Sequence, residues 1–459
     1  MLNLLALFAT FSLLQDSEEG LLLEERLIAT IPEGMSLERP GQPPRGQSHQ
    51  SPNRVRWSAD GRRAAYIGIL DGEEHPVLDD EVLDAYDFVA GPSFSEFGSR
   101  AVFLVGNQKN KKSQKWWVLL DGKEIYEEDW IGPIALAPNG EAVAFWAQPG
   151  AKIQSDGAFN NNGQHLVLLE EKGRRWKESQ GERLDNALSS EPPTFTGDSQ
   201  RAFSVGGNLD GGWDGAGVTV FALERGEKRA SEVGELTRLP SNLAVDRAGK
   251  HWGATLEVWT AVDGKLALTD EFVVLDGERV EHDGSALHGP FFSPLDKRVA
   301  YWVRKEGRYG ISVDGKQITP DYDFVFEPVF GAKNQLAFVA ASGLEPSPLL
   351  PMQQRARTLS GGQRFVVSVP KRGEVQRHEF DWLEVRDLVF SEDGEHLAYA
   401  ARSEAGWQVI LDEVAGPVFD EVDTPRFSED GDLLLHGARR GPELWWKVWS
   451  PAGAPEQSK

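Results

Sequence analysis

The residues best suited by type and spacing to do chemistry lie in the glycine-rich run NLDGGWDGAG, residues 208–217. There Asn208, Asp210 and Asp214 offer oxygens and Trp213 offers a flat aromatic face. A calcium loop of the EF-hand kind needs alternating acids and a carboxylate at its twelfth position, where Thr219 stands, so the run is read as a ligand-binding loop and no metal is expected. Asp210, Trp213 and Asp214 are its candidate contacts, because a large aromatic among glycines and acids has no apolar run to pack on and tryptophan anchors many binding surfaces. The nine His contain no H-x-H or H-E-x-x-H pair, which leaves metal-assisted hydrolysis without support. The absence of Cys removes thiolate metal sites, a Cys nucleophile and a disulfide framework. Among 72 Asp and Glu, a carboxylate pair able to cleave a glycoside has too many candidates for sequence to choose one. No catalytic residue and no cofactor is singled out.

Two further motifs are set aside on their surroundings. LSGGQ, residues 359–363, matches the signature loop of ATP-binding-cassette ATPases, but that loop works opposite a G-x-x-x-x-G-K-[ST] loop, which is missing, and FVVSV follows as a strand. It is read as a connecting loop. Ser391, Asp393 and Gly394 are out of step with the S-x-D-x-G-x-x-W box of sialidases and are read as turn residues.

The elements that would position any such residues are repeats. Residues 390–422, FSEDGEHLAYAARSEAGWQVILDEVAGPVFDEV, give an Asp-Gly turn and about four short strands. The pattern recurs at Trp57, Phe94, Leu136, Phe195, Leu243, Phe292, Phe330 and Phe427. A second block follows the first hairpin: WVLLDG ending at Gly122, FVVLDG at Gly277, ISVDG at Gly315 and WQVILDE at Glu413. A third closes the unit, as YDFV from Tyr86 and Tyr322, FDWL from Phe380 and FDEV from Phe419, often with Pro soon after. Asp-Gly between apolar runs signals a type I′ hairpin, whose two central residues need positive φ.

FSEDGEHLAYAA, FSPLDKRVAYWV and WSADGRRAAYIG resemble the WD-repeat-like β-propeller unit of TolB-type periplasmic proteins and of prolyl oligopeptidase relatives. The resemblance spans residues 52–451 and implies an all-β propeller, a ring of four-stranded blades around a channel, with ligands met at one mouth. Of the nine unit starts Leu243 is degenerate (LAVDRAGKHWGA), so eight blades are expected, within a range of seven to nine. The α/β domain that precedes the propeller in TolB has no counterpart in the short stretch before residue 52, and there is no G-x-S-x-G elbow, so neither family's partners nor its catalysis are carried over.

Residues 1–15, apolar through Leu14, are read as a signal peptide, which places the protein in the periplasm or outside the cell, with the cytoplasm as the alternative. Residues 16–51 are read as an N-terminal segment and linker whose stretch 21–31 is available as a closing strand, and residues 452–459 as a tail. A net charge of -24 argues against nucleic acid, whose affinity comes from Lys and Arg on phosphates. With no membrane segment in the mature chain, the reading is a monomeric, non-catalytic scaffold that binds a protein, peptide or glycan partner. The alternative is a hydrolase with acidic residues gathered at the channel mouth.

Overall fold

The computed structural model describes residues 22–37, 55–110, 113–151, 163–173, 175–181, 192–207, 218–227, 229–237, 240–262, 265–281, 285–286, 288–295, 297–319, 322–343, 362–370 and 374–450. Among them every regular element is a strand, and the strands form nine antiparallel sheets of four, three of which have their first strand broken into two pieces. In chain order the blades are 1 (residues 56–82), 2 (88–128), 3 (131–180), 4 (194–236), 5 (240–279), 6 (285–317), 7 (324–380), 8 (384–415) and 9 (421–449), the last completed by Leu22–Thr30. First strands of successive blades touch one another, which places them next to the axis and the fourth strands at the rim.

The second strands explain why the sequence folds this way. Each is covered on both faces by neighbouring blades, so Ala64–Leu70, Ala142–Ala147 and Leu336–Ser342 are buried almost throughout and are continuously apolar. Ala alternates with aromatic residues along them, which lets sheets approach closely while Tyr66, Phe145 and Phe338 fill the space between. Tyr399 lies in the layer between blades 7 and 8 with Val366 and Ile410. Truncating it to Ala should cost roughly 3–5 kcal/mol, the range for a buried aromatic, and a urea midpoint near that of the wild type would place it outside the core.

Nine blades, not eight, is the first correction, and the degenerate unit is the reason. In a regular unit Ser391 Oγ donates to Asp393 Oδ1 and accepts from His396 N at 3.0 Å, while Asp393 accepts from Glu395 N at 3.0 Å. In blade 5 the single carboxylate of Asp246, at the serine position, accepts from Lys250 N at 2.7 Å and His251 N at 3.1 Å. One acid does the work of two residues, so the turn survives without its Asp-Gly signature.

The second correction concerns the turns. In the first hairpin a single residue has positive φ, as in Gly61, Ser199, Asn334 and Gly394, whereas both residues do in the turn after the third strand: Asp121 and Gly122, Asp276 and Gly277, Asp314 and Gly315. The type I′ geometry belongs to the second block and to the turns Asp71-Gly72 and Glu306-Gly307 between second and third strands, not to the first hairpin. The third block closes its own blade as expected, on the third strand. Tyr86, Tyr322 and Phe419 bridge back to Glu74, Tyr309 and Trp407, and the chain then enters the first strand of the next blade.

Closure joins blade 9 to blade 1. Leu22–Thr30 pairs antiparallel with Glu443–Trp449 as the outer strand. Trp57 of blade 1 lies on Gly437 of blade 9, and Trp446 of blade 9 lies on Gly61 of blade 1. Asp423, buried, accepts from Trp57 N at 3.3 Å and pairs with Arg56 at 3.5 Å and Arg426 at 3.2 Å.

Candidate functional site

A cleft of about 440 Å³ opens between blades 7 and 8, within the size range of small-ligand sites. Blade 7 contributes Gln335, Ser368, Gln376 and His378, and blade 8 contributes His396, Tyr399, Asp412 and Glu413. Lys333 and Glu395, one from each blade, form an ion pair at its edge. Two imidazole–carboxylate pairs face it: His396 Nδ1 lies 2.5 Å from Asp412, and His378 Nδ1 lies 2.6 Å from Glu413.

The two pairs differ in kind. Asp412 also accepts from Leu397 N at 2.9 Å, and this arrangement recurs: Asp79 holds Arg63 and Ala64 N, Asp121 holds Arg100 and Ala101 N, and Asp276 holds His251 and Trp252 N. His396–Asp412 is therefore this blade's copy of a clasp that ties the turn after the third strand to the start of the second. His378–Glu413 belongs to no such series. It crosses from the rim strand Gln376–Phe380 of one blade to a turn of the next.

Glu413 occupies the turn position that Gly122, Gly277 and Gly315 fill elsewhere, and it takes a φ of 72°, which only glycine adopts freely. A side chain held there costs backbone energy of about 1 kcal/mol, and strain of this kind collects at functional sites. Burial, and then the Glu413 charge, push the Tyr399 hydroxyl up to about 12, so it stays a proton donor into the cleft.

On the first strands of blades 8 and 9, Glu384 pairs with Arg402 at 3.5 Å and Glu421 with Arg439 at 3.4 Å. Glu271 faces Glu257 across two strands of blade 5, and burial followed by the Glu257 charge pushes its carboxyl up to about 8. Among the described residues no group of three or more His, Asp or Glu is arranged to hold a metal ion, and no helix is long and apolar enough to cross a membrane. Trp213, Asp210 and Asp214 lie outside the described residues, as does most of LSGGQ, while Gln363–Val369 is the strand expected after it.

The cleft was missed in the sequence because its halves come from different repeats. Its one local signal was the Glu that breaks the Asp-Gly pattern at 413.

No protein-family model and no curated protein matches the chain. Among solved structures it is similar to the β-propeller domain of the Trilobed protease from Pyrococcus furiosus, which has an open velcro topology: 10% identity over 79% of this chain and 95% of that one, TM-score 0.39. It is similar to an oligogalacturonate lyase from Vibrio parahaemolyticus, with 9% identity over 88% and 97% and a TM-score of 0.37. It is also similar to Porphyromonas gingivalis dipeptidyl peptidase 4, with 10% identity over 84% and 64% and a TM-score of 0.45. Such likenesses speak of the fold and of nothing finer. The reading of a non-catalytic scaffold does not stand, because it rested only on the absence of a motif, from which no lack of catalysis follows.

Proposed function

We propose that the chain is a hydrolase whose acid–base group is His378, held by Glu413, in the cleft between blades 7 and 8. The observation that carries this reading is Glu413 itself, kept in a glycine's conformation with its carboxylate 2.6 Å from an imidazole of the neighbouring blade. With Nδ1 on Glu413, Nε2 is the ring atom left for a proton from water. As the water oxygen attacks an acyl or glycosyl carbon, the imidazole takes its proton and then returns it to the leaving group. Glu413 fixes the ring and balances the imidazolium in between. The cleft volume suits a substrate fragment of about dipeptide or disaccharide size. The finer kinship with the WD-repeat-like, TolB-type family is also a proposal, supported by the repeated turn-and-strand units.

The test is a panel of chromogenic esters, peptide anilides and glycosides, read on wild type and three variants. His378→Asn should lose about 100-fold or more in kcat/KM, and Glu413→Gln a smaller factor, since general acid–base catalysis contributes about 10²–10⁴. Glu413→Gly should lose activity while gaining about 1 kcal/mol of stability by relieving the turn. Full activity in His378→Asn, or no turnover of any class by wild type, ends the hydrolase reading.

A further inference from the structure

Blade 9 differs from blades 2 and 8 in the middle of its sheet. Where blades 2 and 8 place the cross-strand pairs Phe103–Leu119 and Tyr399–Ile410, blade 9 places His436 opposite Lys447, and Lys447 opposite Glu25 of the closing strand. The row is almost dry: His436 is 1% and Lys447 3% exposed. Lys447 forms an ion pair with Glu25 across the strand boundary. His436 Nδ1 sits 3.2 Å from the Gly437 carbonyl, so it carries the ring proton, and Nε2 has no hydrogen-bond partner among the described residues. A second proton on this ring would therefore find no acceptor and would face the Lys447 ammonium.

We propose that this row is an acid-released latch: charging His436 beside Lys447 frees the strand Leu22–Thr30 and opens the ring between blades 9 and 1. The closing strand is the part that gives, because seven of its nine residues are exposed and only Ala29 is buried, so little apolar area holds it. The groups that bear on the pair are Glu25 from the closing strand, Asp423 from the first strand of blade 9 with its partners Arg56 and Arg426, Arg440 at the end of the second strand and Glu443 at the start of the third. From the turn leading out of blade 8, the Phe419 ring lies 5.1 Å from Lys447 Nζ. Burial first, and then the Lys447 charge, hold His436 at about 4, below its usual 6.5. The unfolded or opened segment therefore takes up the proton as the pH falls through 6.5, and the closed form loses ground down to about 4.

Hydrogen exchange resolved by peptide tests this on the full chain. Between pH 8 and pH 5, amide protection across residues 22–30 should fall about 30-fold after correction for intrinsic rates, while residues 142–147 of blade 3 keep theirs. His436→Gln should abolish the fall, and Lys447→Met, which removes the second cation, should reduce it. Unchanged protection of residues 22–30 at pH 5, an equal fall in His436→Gln, or simultaneous loss in blade 3 would each overturn the latch.

Discussion

Trp57→Ala should destabilise the ring by about 3–5 kcal/mol, the cost of removing a large buried aromatic. Trp57 is fully buried at the junction of blades 9 and 1 and rests on Gly437, where an added Cβ would come within 2.0 Å of the indole. Gly437→Ala should therefore act on the same junction from the other side, by pushing the indole out of its seat, and overpacking of this kind costs about 1–3 kcal/mol. The two losses should not add, because each variant spoils the same contact. Urea unfolding of both single variants and the double one gives the answer, with Leu383→Ala, at an exposed position, as the control. A Trp57→Ala loss under about 1 kcal/mol would mean that the junction does not limit the stability of the ring.

Glu271→Gln should stabilise the protein most at and above pH 8. The folded chain keeps on Glu271 a proton that the unfolded chain releases near 4.5, so this residue's contribution is complete below 4.5 and is lost as the pH rises through 8. The gap corresponds to at most about 5 kcal/mol for a group so nearly buried. Gln keeps the shape of the acid and has no proton to lose. His436 works in the opposite sense, losing stability from 6.5 downward, so between 4.5 and 6.5 the two slopes oppose each other and the wild type should be nearly flat. Thermal midpoints from pH 4 to 9 should show that plateau and a decline above it. In Glu271→Gln the decline should vanish and the acid loss of His436 should stand alone, and a variant curve parallel to wild type would refute the assignment.

Much of the ring was written locally. The Ser-x-Asp-Gly turns and the Ala-rich second strands are self-contained hairpins, and their signals survive because each turn residue satisfies its own neighbours. Blade 5 was discounted because Asp246 performs the capping with one acid in place of the Ser and Asp, which a pattern of letters cannot register. The site was less legible for a related reason. His378 and Glu413 are ordinary in their own repeats and meet only when blade 8 is laid against blade 7, so no spacing in the chain encodes the 2.6 Å between them. Only the φ of Glu413 left a trace, as a missing glycine.

The pairing of Leu22–Thr30 with Glu443–Trp449 also sets an order of assembly during synthesis. Each blade up to the eighth can form as its own residues leave the ribosome, since its strands are neighbours in the chain. The strand Leu22–Thr30 must instead wait for Glu443–Trp449, and Glu25 meets Lys447 across 422 residues. At ribbon speeds of about 5–20 residues per second that wait lasts roughly 20–80 s. Throughout it the exposed Leu22, Leu23 and Leu27 belong to an unpaired strand, with the bare edge of every nascent blade as an alternative partner. Three charged residues, Glu24, Glu25 and Arg26, interrupt that leucine run, and they make a wrong edge a poor fit until Lys447 arrives to pair with Glu25.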